Sequence, residues 1–259
     1  MSDWKPDLYL AFEKERTQPA IDLAVRIENK DPKRIIDIGC GPGNSTFVLR
    51  GRWPDAEIIG IDNSENMIEQ ARKRYSDIEW ICKDASGDLS ELGTFDIVFS
   101  NAAIQWIQDQ RLLLHNLYGI VNKGGVLAVQ VPNVKNMLVN IELQKLVKKP
   151  KWKGYFSPPP STHSAHEAEV YYDILCGLTK DIDVWETHYH HIMNSHKDIV
   201  IWYSGTGLRP YLDRLSDEDA KNEFLSDFEN ALKDSYPLQQ DKRVLFPFRR
   251  IFFIARKAA

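Results

Sequence analysis

The residues whose spacing could do chemistry begin at Ile35-Ile36-Asp37-Ile38-Gly39-Cys40-Gly41-Pro42-Gly43-Asn44-Ser45, a glycine-rich turn between an apolar run and a helical pattern. Such a turn lets a ligand approach the backbone closely. A G-x-G-x-x-G/A fingerprint would need Gly or Ala at position 44 and meets Asn44. Asp37, at the mouth of the turn, would repel a pyrophosphate and attract an ammonium or sulfonium group. Asp62 closes the next apolar run, Ile58-Ile59-Gly60-Ile61-Asp62, where a carboxylate can accept from both ribose hydroxyls of a nucleoside. A nucleoside joined to a cation describes S-adenosylmethionine and argues against a nicotinamide oxidoreductase. Asp62 also has a plainer reading, because Asp62-Asn63-Ser64 is good helix-capping chemistry.

Such residues need a scaffold that brings strand ends together. Between Arg34 and Val131 short β-branched runs alternate with helical patterns, the signature of βαβ units and a mostly parallel sheet. The expected strands are Arg34–Ile38, Glu57–Ile61, Ile78–Lys83, Phe95–Ser100 and Val126–Val131. Ser45–Arg52 and Ser64–Arg74 read as helices, the second capped by Ser64 with Met67, Ile68 and Ala71 facing inward. Right-handed crossovers put the strand ends on one rim, where ligands of open α/β folds bind. Upstream, Tyr9 to Ile27 reads as two helices broken near Thr17 and Pro19. Downstream, Pro132 to Lys180 shows no clear strand and reads as an inserted cap. Ile182–His191 and Ile251–Arg256 are the last strand candidates, separated by helical periodicity from Asp217 to Tyr236.

Composition narrows the partners. The chain has 259 residues, 43% hydrophobic and 27% charged, which suits a folded globular protein, and a formal net charge of -4, which argues against a nucleic-acid partner. No run approaches the length of a membrane span, so no membrane partner is expected and the chain reads as cytoplasmic. Cys40, Cys82 and Cys176 stand far apart without a CxxC pairing and read as free thiols.

The run Asp37 to Gly43, the acid Asp62, the step Lys83-Asp84-Ala85 and Asn101 resemble class I S-adenosylmethionine-dependent methyltransferases in order and spacing. That resemblance implies a Rossmann-like α/β fold: a mostly parallel seven-stranded sheet with helices on both faces and an inserted helical cap. It implies one domain over 1–259, with the cofactor half ending at residue 131 and residues 132–259 completing the sheet and carrying acceptor-binding segments. It also implies that Asp37 and the backbone of Gly39, Gly41 and Gly43 hold the methionine end, Asp62 the ribose, and Asp84 with Ala85 the adenine, flanked by Asn63 and Met67. Asp84 alone would look the same in a simple turn before Ser86-Gly87-Asp88. A closer likeness is to the bacterial trans-aconitate 2-methyltransferase family. It is carried by Asp3-Trp4, Leu8-Tyr9-Leu10, Glu15-Arg16, Asp37–Thr46, Asn101-Ala102, Gln105-Trp106-Ile107, Gly124–Pro132, Tyr171–Leu175, Thr206–Pro210 and Tyr236-Pro237-Leu238. Tyr9, Arg16, Asn44, Ser45, Asn101, Ala102 and Trp106 thereby join the cofactor-binding set. For Trp106, an aromatic face near a cation competes with core packing. The likeness departs between Val134 and Glu169 and around Phe246–Arg250.

The reaction implied is methylation of a small carboxylate, trans-aconitate, with S-adenosylmethionine as cofactor. A carboxylic acid is already ionised at neutral pH, so no catalytic base is assigned and positioning is the mechanism. Another small acceptor, or an S-adenosylmethionine-binding protein without catalysis, are the competing readings. Arg209 in the Thr206–Pro210 turn is the first choice for the acceptor, since a guanidinium takes a carboxylate at two points. Tyr172 and Arg250 follow, with Tyr171 and Trp202 as walls; the tyrosines also suit a core, and Arg250 a solvent-facing strand start. Lys145, Lys148, Lys149, Lys151 and Lys153 could steer an anion or form a solvated helix end. His188, His190 and His191 lack an acidic or cysteine partner at ligand spacing, and no metal is expected.

Overall fold

The computed structural model describes residues 12–160 and 165–259. Tyr9 and the likeness at Asp3-Trp4 therefore lie outside the described residues. In chain order the elements are α1 (Glu13–Arg26), β1 (Arg34–Ile38), α2 (Asn44–Arg52), β2 (Glu57–Asp62), α3 (Glu65–Arg74), β3 (Glu79–Cys82), β4 (Phe95–Asn101), α4 (Gln110–Gly119), β5 (Val121–Pro132), α5 (Leu138–Leu146), α6 (Pro150–Lys153), α7 (Ala168–Leu175), β6 (Ile182–Met193), α8 (His196–Ser204), α9 (Arg209–Leu212), α10 (Glu218–Leu232) and β7 (Val244–Arg256). The strands form one seven-stranded sheet in the order β3-β2-β1-β4-β5-β7-β6. Neighbours from β3 to β5 pair in parallel, and β7 pairs antiparallel with β5. The fold is the expected Rossmann-like α/β architecture. The β1, β2 and β4 runs are nearly continuous in apolar residues because such strands are buried on both faces.

The chain divides into two compact units that are not sequential halves. The larger comprises Glu13–Pro132, Ala165–Thr187 and Arg250–Ala259. Its core joins Ile36, Ile38, Ile59, Val98, Leu127 and Val129 of the sheet to Leu113, Leu117, Ile174 and Phe253. The described residues of the smaller unit are Phe12, 133–160 and 188–249. It has its own core, rich in rings: Trp152, Phe156, Trp202, Tyr203, Phe224, Phe228 and Phe246. Among the described residues no helix is long and apolar enough to cross a membrane.

Several expectations are corrected. The break at Thr17 and Pro19 does not occur in the described part of that segment: α1 is one helix with Pro19 inside it. Pro19, Ala20, Leu23 and Ala24 form a buried stripe at helical spacing, and that burial offsets the lost backbone hydrogen bond. β5 begins at Val121 rather than Val126, because the Gly124-Gly125 pair forms an irregularity between the pairs Phe95↔Val121 and Ile97↔Val126 instead of ending the strand. β7 begins at Val244 rather than Ile251: Val244, Phe246 and Phe248 alternate inward and carry the strand through Pro247. α7, read as part of the cap, packs in the core of the larger unit.

Tyr171 on α7 shows why. It is fully buried, its ring lies 5.0 Å from that of Phe253, and its hydroxyl donates to Gln110 Oε1 at 2.6 Å while accepting from the His166 amide at 3.2 Å. Burial pushes the phenol well above its ordinary value. Tyr171→Phe is expected to destabilise the protein by about 1–3 kcal/mol, the cost of disrupting a buried hydrogen-bonded network. Urea unfolding checks it; an unchanged midpoint would show that the hydroxyl is dispensable.

Candidate active site

The site is built where parallel strands end. Asp37 is fully buried near the end of β1, and its Oδ2 accepts from Ser45 Oγ at 2.6 Å and Thr46 Oγ1 at 2.7 Å. Both hydroxyls sit in the first turn of α2, so the glycine turn folds the helix start back onto the strand. Oδ1 has no partner among the described residues. Burial pushes the carboxyl up to about 6, against the opposing pull of the two hydroxyls, with a small further push from Asp62. Gly39 has φ +69, and a Cβ there would lie 2.2 Å from Ala103 Cβ. No other residue fits. Gly43 opens α2 with φ +93, and a Cβ there would meet Trp80 Cη2 at 2.8 Å.

Asp62 at the end of β2 carries both roles weighed for it. Its Oδ2 accepts from the Gly41 amide at 3.0 Å and its Oδ1 from the Ser64 amide at 2.9 Å, so it braces the glycine turn and the entry to α3 together. Ser64 caps α3 through the Met67 amide, and Met67 is buried while Asn63 is exposed. Asp84, after β3, is exposed and closes a turn onto the Ser86 amide at 2.9 Å; Ala85 beside it is buried. Asn44 is half-buried and its Oδ1 accepts from Arg74, which also pairs with Glu13. Arg16 is buried on α1.

At the end of β4 the backbone is strained: Ala102 has φ 55, in the left-handed region that a non-glycine residue enters at a cost. Its amide donates to Gln130 O at 2.9 Å and its carbonyl accepts from Gln105 Nε2 at 2.7 Å. The oxygens Asn101 Oδ1 and Gln105 Oε1 are buried without a partner among the described residues, and Trp106 beside them is partly buried. Register puts Asp62, Asp37, Asn101, Gln130 and Arg250 on one face of the sheet, since Asp37 lies opposite Phe99 and Gly60, Asn101 opposite Gln130, and Pro132 opposite Arg250. From β2 to β7 the chemistry along that edge runs acid, acid, amide, amide, guanidinium.

A family profile for a methyltransferase domain matches residues 35–125, which hold the glycine turn, Asp62, Asp84 and Asn101. Over 262 residues the chain is 39% identical to the trans-aconitate 2-methyltransferase of Methylobacterium radiotolerans, covering 100% of both chains. Over 257 residues it is 39% identical to the trans-aconitate 2-methyltransferase of Escherichia coli O157:H7, covering 99% of each. The chain belongs to the trans-aconitate 2-methyltransferase family. Among solved structures, the YcgJ protein of Bacillus subtilis superposes with a TM-score of 0.60 at 14% identity, covering 93% of this chain and 99% of that one. Phosphoethanolamine N-methyltransferase 2 of Haemonchus contortus, solved with S-adenosylhomocysteine, gives 0.56 at 19% identity, covering 93% of this chain and 53% of that one. These two likenesses are of fold alone. As a member of this family the protein is an S-adenosylmethionine-dependent methyltransferase acting on a small molecule. The strand ends suit that cofactor, because three buried acceptor oxygens without partners, on Asp37, Asn101 and Gln105, match a ligand carrying an ammonium and a sulfonium.

The expected acceptor residues separate under the structure. Tyr171 is removed by its place in the core. Trp202 is likewise not a wall: it is 1% exposed, packed with Phe12, His191, Phe246 and Phe248 in the core of the smaller unit. Tyr172 is exposed on α7. Arg209 lies not in a bare turn but at the first position of α9, half-buried. Arg250, weighed as solvent-facing, is 4% exposed and donates to Gln130 Oε1 at 3.1 Å. Lys145 pairs with Glu142, and Lys151 with Glu223 and Asp227, as on a solvated helix end. His188 and His190 share an exposed face of β6, and among the described residues no group of three His, Cys, Asp or Glu could hold a metal. Sequence reasoning passed over Gln130 and the Thr46 hydroxyl. The signal for Gln130 was an amide inside Leu127-Ala128-Val129-Gln130-Val131, a run otherwise wholly apolar.

The Asp37 carboxyl has a consequence for stability. Between about pH 3.8 and 6 the folded state keeps a proton that the unfolded state has released, so this group's contribution falls as pH rises through that window and stays low above it. At neutral pH the cost is roughly 3 kcal/mol. Without cofactor, Asp37→Asn is expected to be more stable than the parent at pH 7 by up to that amount, less what Ser45 and Thr46 lose as donors. The lead should shrink at pH 4.5. Urea unfolding of both proteins at the two pH values checks it, and an equal lead at both would sink the assignment.

Proposed function

We propose that the protein transfers a methyl group from S-adenosylmethionine to a carboxylate of trans-aconitate, giving the monomethyl ester and S-adenosylhomocysteine. The observation that carries this reading is the 39% identity across the full length of both chains, which extends past the shared cofactor half into residues 132–259. The three free thiols accord with a reducing, cytoplasmic setting.

Each residue has a task in this reading. Asp37, ionised above about pH 6, holds the ammonium of the methionine end through its open Oδ1. The Asn101 and Gln105 oxygens and the turn at Gly39–Gly43 line the path toward the sulfur. Asp62 accepts from the ribose, and Asp84, Ala85, Asn63 and Met67 bound the adenine. Arg209 clamps a carboxylate that is not methylated, with Tyr172 as a further contact. When bound, S-adenosylmethionine supplies an electrophilic methyl group on a sulfonium. An anion and a cation then become a neutral ester and a neutral thioether, so no proton changes hands and no side chain must act as a base. The protein's contribution is alignment of oxygen, carbon and sulfur.

A radiolabelled methyl-transfer assay across trans-aconitate, cis-aconitate, citrate and isocitrate tests the reading; turnover of trans-aconitate above the others is expected, and none would overturn it. Its pH profile should be flat from about 6.5 to 8.5 and fall below about 6 as Asp37 takes a proton and loses its hold on the ammonium. An acidic limb near pH 7 abolished by replacing one histidine would show that a base is at work. Arg209→Ala is expected to cost about 2–5 kcal/mol of transition-state stabilisation, with partial recovery in Arg209→Lys and unchanged cofactor affinity. Equal kcat/KM in all three proteins would leave Arg209 a structural residue.

A further inference from the structure

Gln105 lies in the short helical turn Ile104–Trp106 that follows β4, and it is 6% exposed. Its Nε2 donates to the Ala102 carbonyl at 2.7 Å. A carbonyl can only accept, so this bond fixes which end of the amide is the nitrogen and turns Oε1 the other way. Oε1 is buried and has no hydrogen-bond partner among the described residues. A buried amide left half satisfied is costly, and native structures keep few such groups without a reason. Asn101 Oδ1 is open as well, but Gln130 stands opposite it in register with an open Nε2, so those two amides can answer each other. In Gln105 the donor is committed and only the acceptor is left.

The segment that carries Gln105 is built at a cost and is set against the cofactor turn. Ala102 stands in the left-handed region at φ 55, and in that conformation its carbonyl meets Gln105 Nε2. Ala103, next in the chain, lies so close to Gly39 that a Cβ there would be 2.2 Å from its own. The glycine turn and the turn after β4 are therefore in direct contact. Register puts Asp37, with its open Oδ1, on the same sheet face as Asn101, their Cα atoms about 8 Å apart by strand spacing and rise.

An acceptor held in this way calls for a donor or a cation. A polycarboxylate acceptor is ionised at neutral pH, has no proton to give and would be repelled by Oε1. The cofactor carries two positive groups. Its ammonium is matched by the formal charge of Asp37. Its sulfonium has no N–H or O–H, and what suits it is the negative end of a dipole near the sulfur and its polarised C–H groups.

We propose that Gln105, oriented by the Ala102 carbonyl, reads the charge on the cofactor's sulfur; this rests on the reading above of a cofactor site beside an anionic acceptor. Oε1 favours the sulfonium of S-adenosylmethionine over the neutral thioether of S-adenosylhomocysteine, and so sets how strongly the product competes with the cofactor. No bond is made or broken at Gln105.

Calorimetry on the full chain tests this with three ligands: S-adenosylmethionine, S-adenosylhomocysteine and sinefungin, an analogue that carries an ammonium in place of the sulfonium. The proteins are the parent, Gln105→Met and Gln105→Glu, each with its urea unfolding midpoint. The parent is expected to bind the two charged ligands more tightly than the thioether. In Gln105→Met that preference should shrink about tenfold, because the charged ligands weaken while affinity for S-adenosylhomocysteine stays within about twofold of the parent. Gln105→Glu keeps an oxygen and adds charge, so it should keep or widen the preference. A purely structural role would weaken all three ligands alike, or lower the midpoint with the ratio of affinities intact, and either result overturns the proposal. So does a parent without preference, or a Gln105→Glu protein less selective than Gln105→Met. A parent that binds S-adenosylmethionine but does not methylate trans-aconitate overturns the acceptor reading instead, and the same ratio still decides the role of Gln105.

Discussion

A fully buried carboxylate at the end of β1 is the constraint on which the larger unit depends. Asp37 is fully buried and two hydroxyls reach it, both on one of its oxygens. To deliver those hydroxyls the chain must reverse within a few residues and start a helix on the strand it has just left. That reversal demands positive φ at Gly39, Gly41 and Gly43, and room at Gly39 for Ala103 of the β4 loop. Asp62 then ties the turn to the next strand through the Gly41 amide, and β2 carries the Ile61 carbonyl that receives the amides of Gly39 and Cys40. The glycine turn is thus fixed from three strands at once. A site on rigid elements of this kind can hold reacting groups in line without further adjustment.

How much of this was legible follows from where each signal lives. β1 was readable to the residue, because three isoleucines in five positions mark a strand buried on both faces and the glycines that follow it are forced by geometry. β7 was only half readable: Pro247 looks like a stop, and its strand continues because Phe246 and Phe248 find a ring-lined core that no local pattern announces. The same holds for Pro19, whose cost is local and whose compensation, the stripe through Leu23 and Ala24, is tertiary. α7 was misplaced because tyrosines at helical spacing do not say which core they join.

The site divides along the same line. Asp37, Asp62 and Asn101 could be found because they stand next to turn chemistry at strand ends. Arg250 and Gln130 could not be joined by reading, since they are 120 residues apart and meet only through an antiparallel pairing near the chain's end. What a sequence does show at such a place is a violation: an amide where every neighbour in the strand is aliphatic. Departures from local pattern tend to mark function, because a buried polar group is retained only where something repays its desolvation.

Those departures also share a sign pattern. A protein that had only to be stable would not bury an acid with one oxygen open at β1 and leave two amides incomplete at β4 and β5, between that acid and a guanidinium three strands along the same sheet face at β7. Each is costly alone, and their order removes the cost together: a cationic ligand at the acid end relieves Asp37. In the proposed reaction the methyl acceptor is an anion. The field along the edge favours a positive group on the β1 side and a negative group on the β7 side, the alignment in which an anionic oxygen faces a methyl carried by a cation. Attraction between the two ligands then acts in the direction of transfer. That attraction ends as ester and thioether form, while the ammonium at Asp37 keeps its charge, so the change on transfer is confined to the two reacting groups.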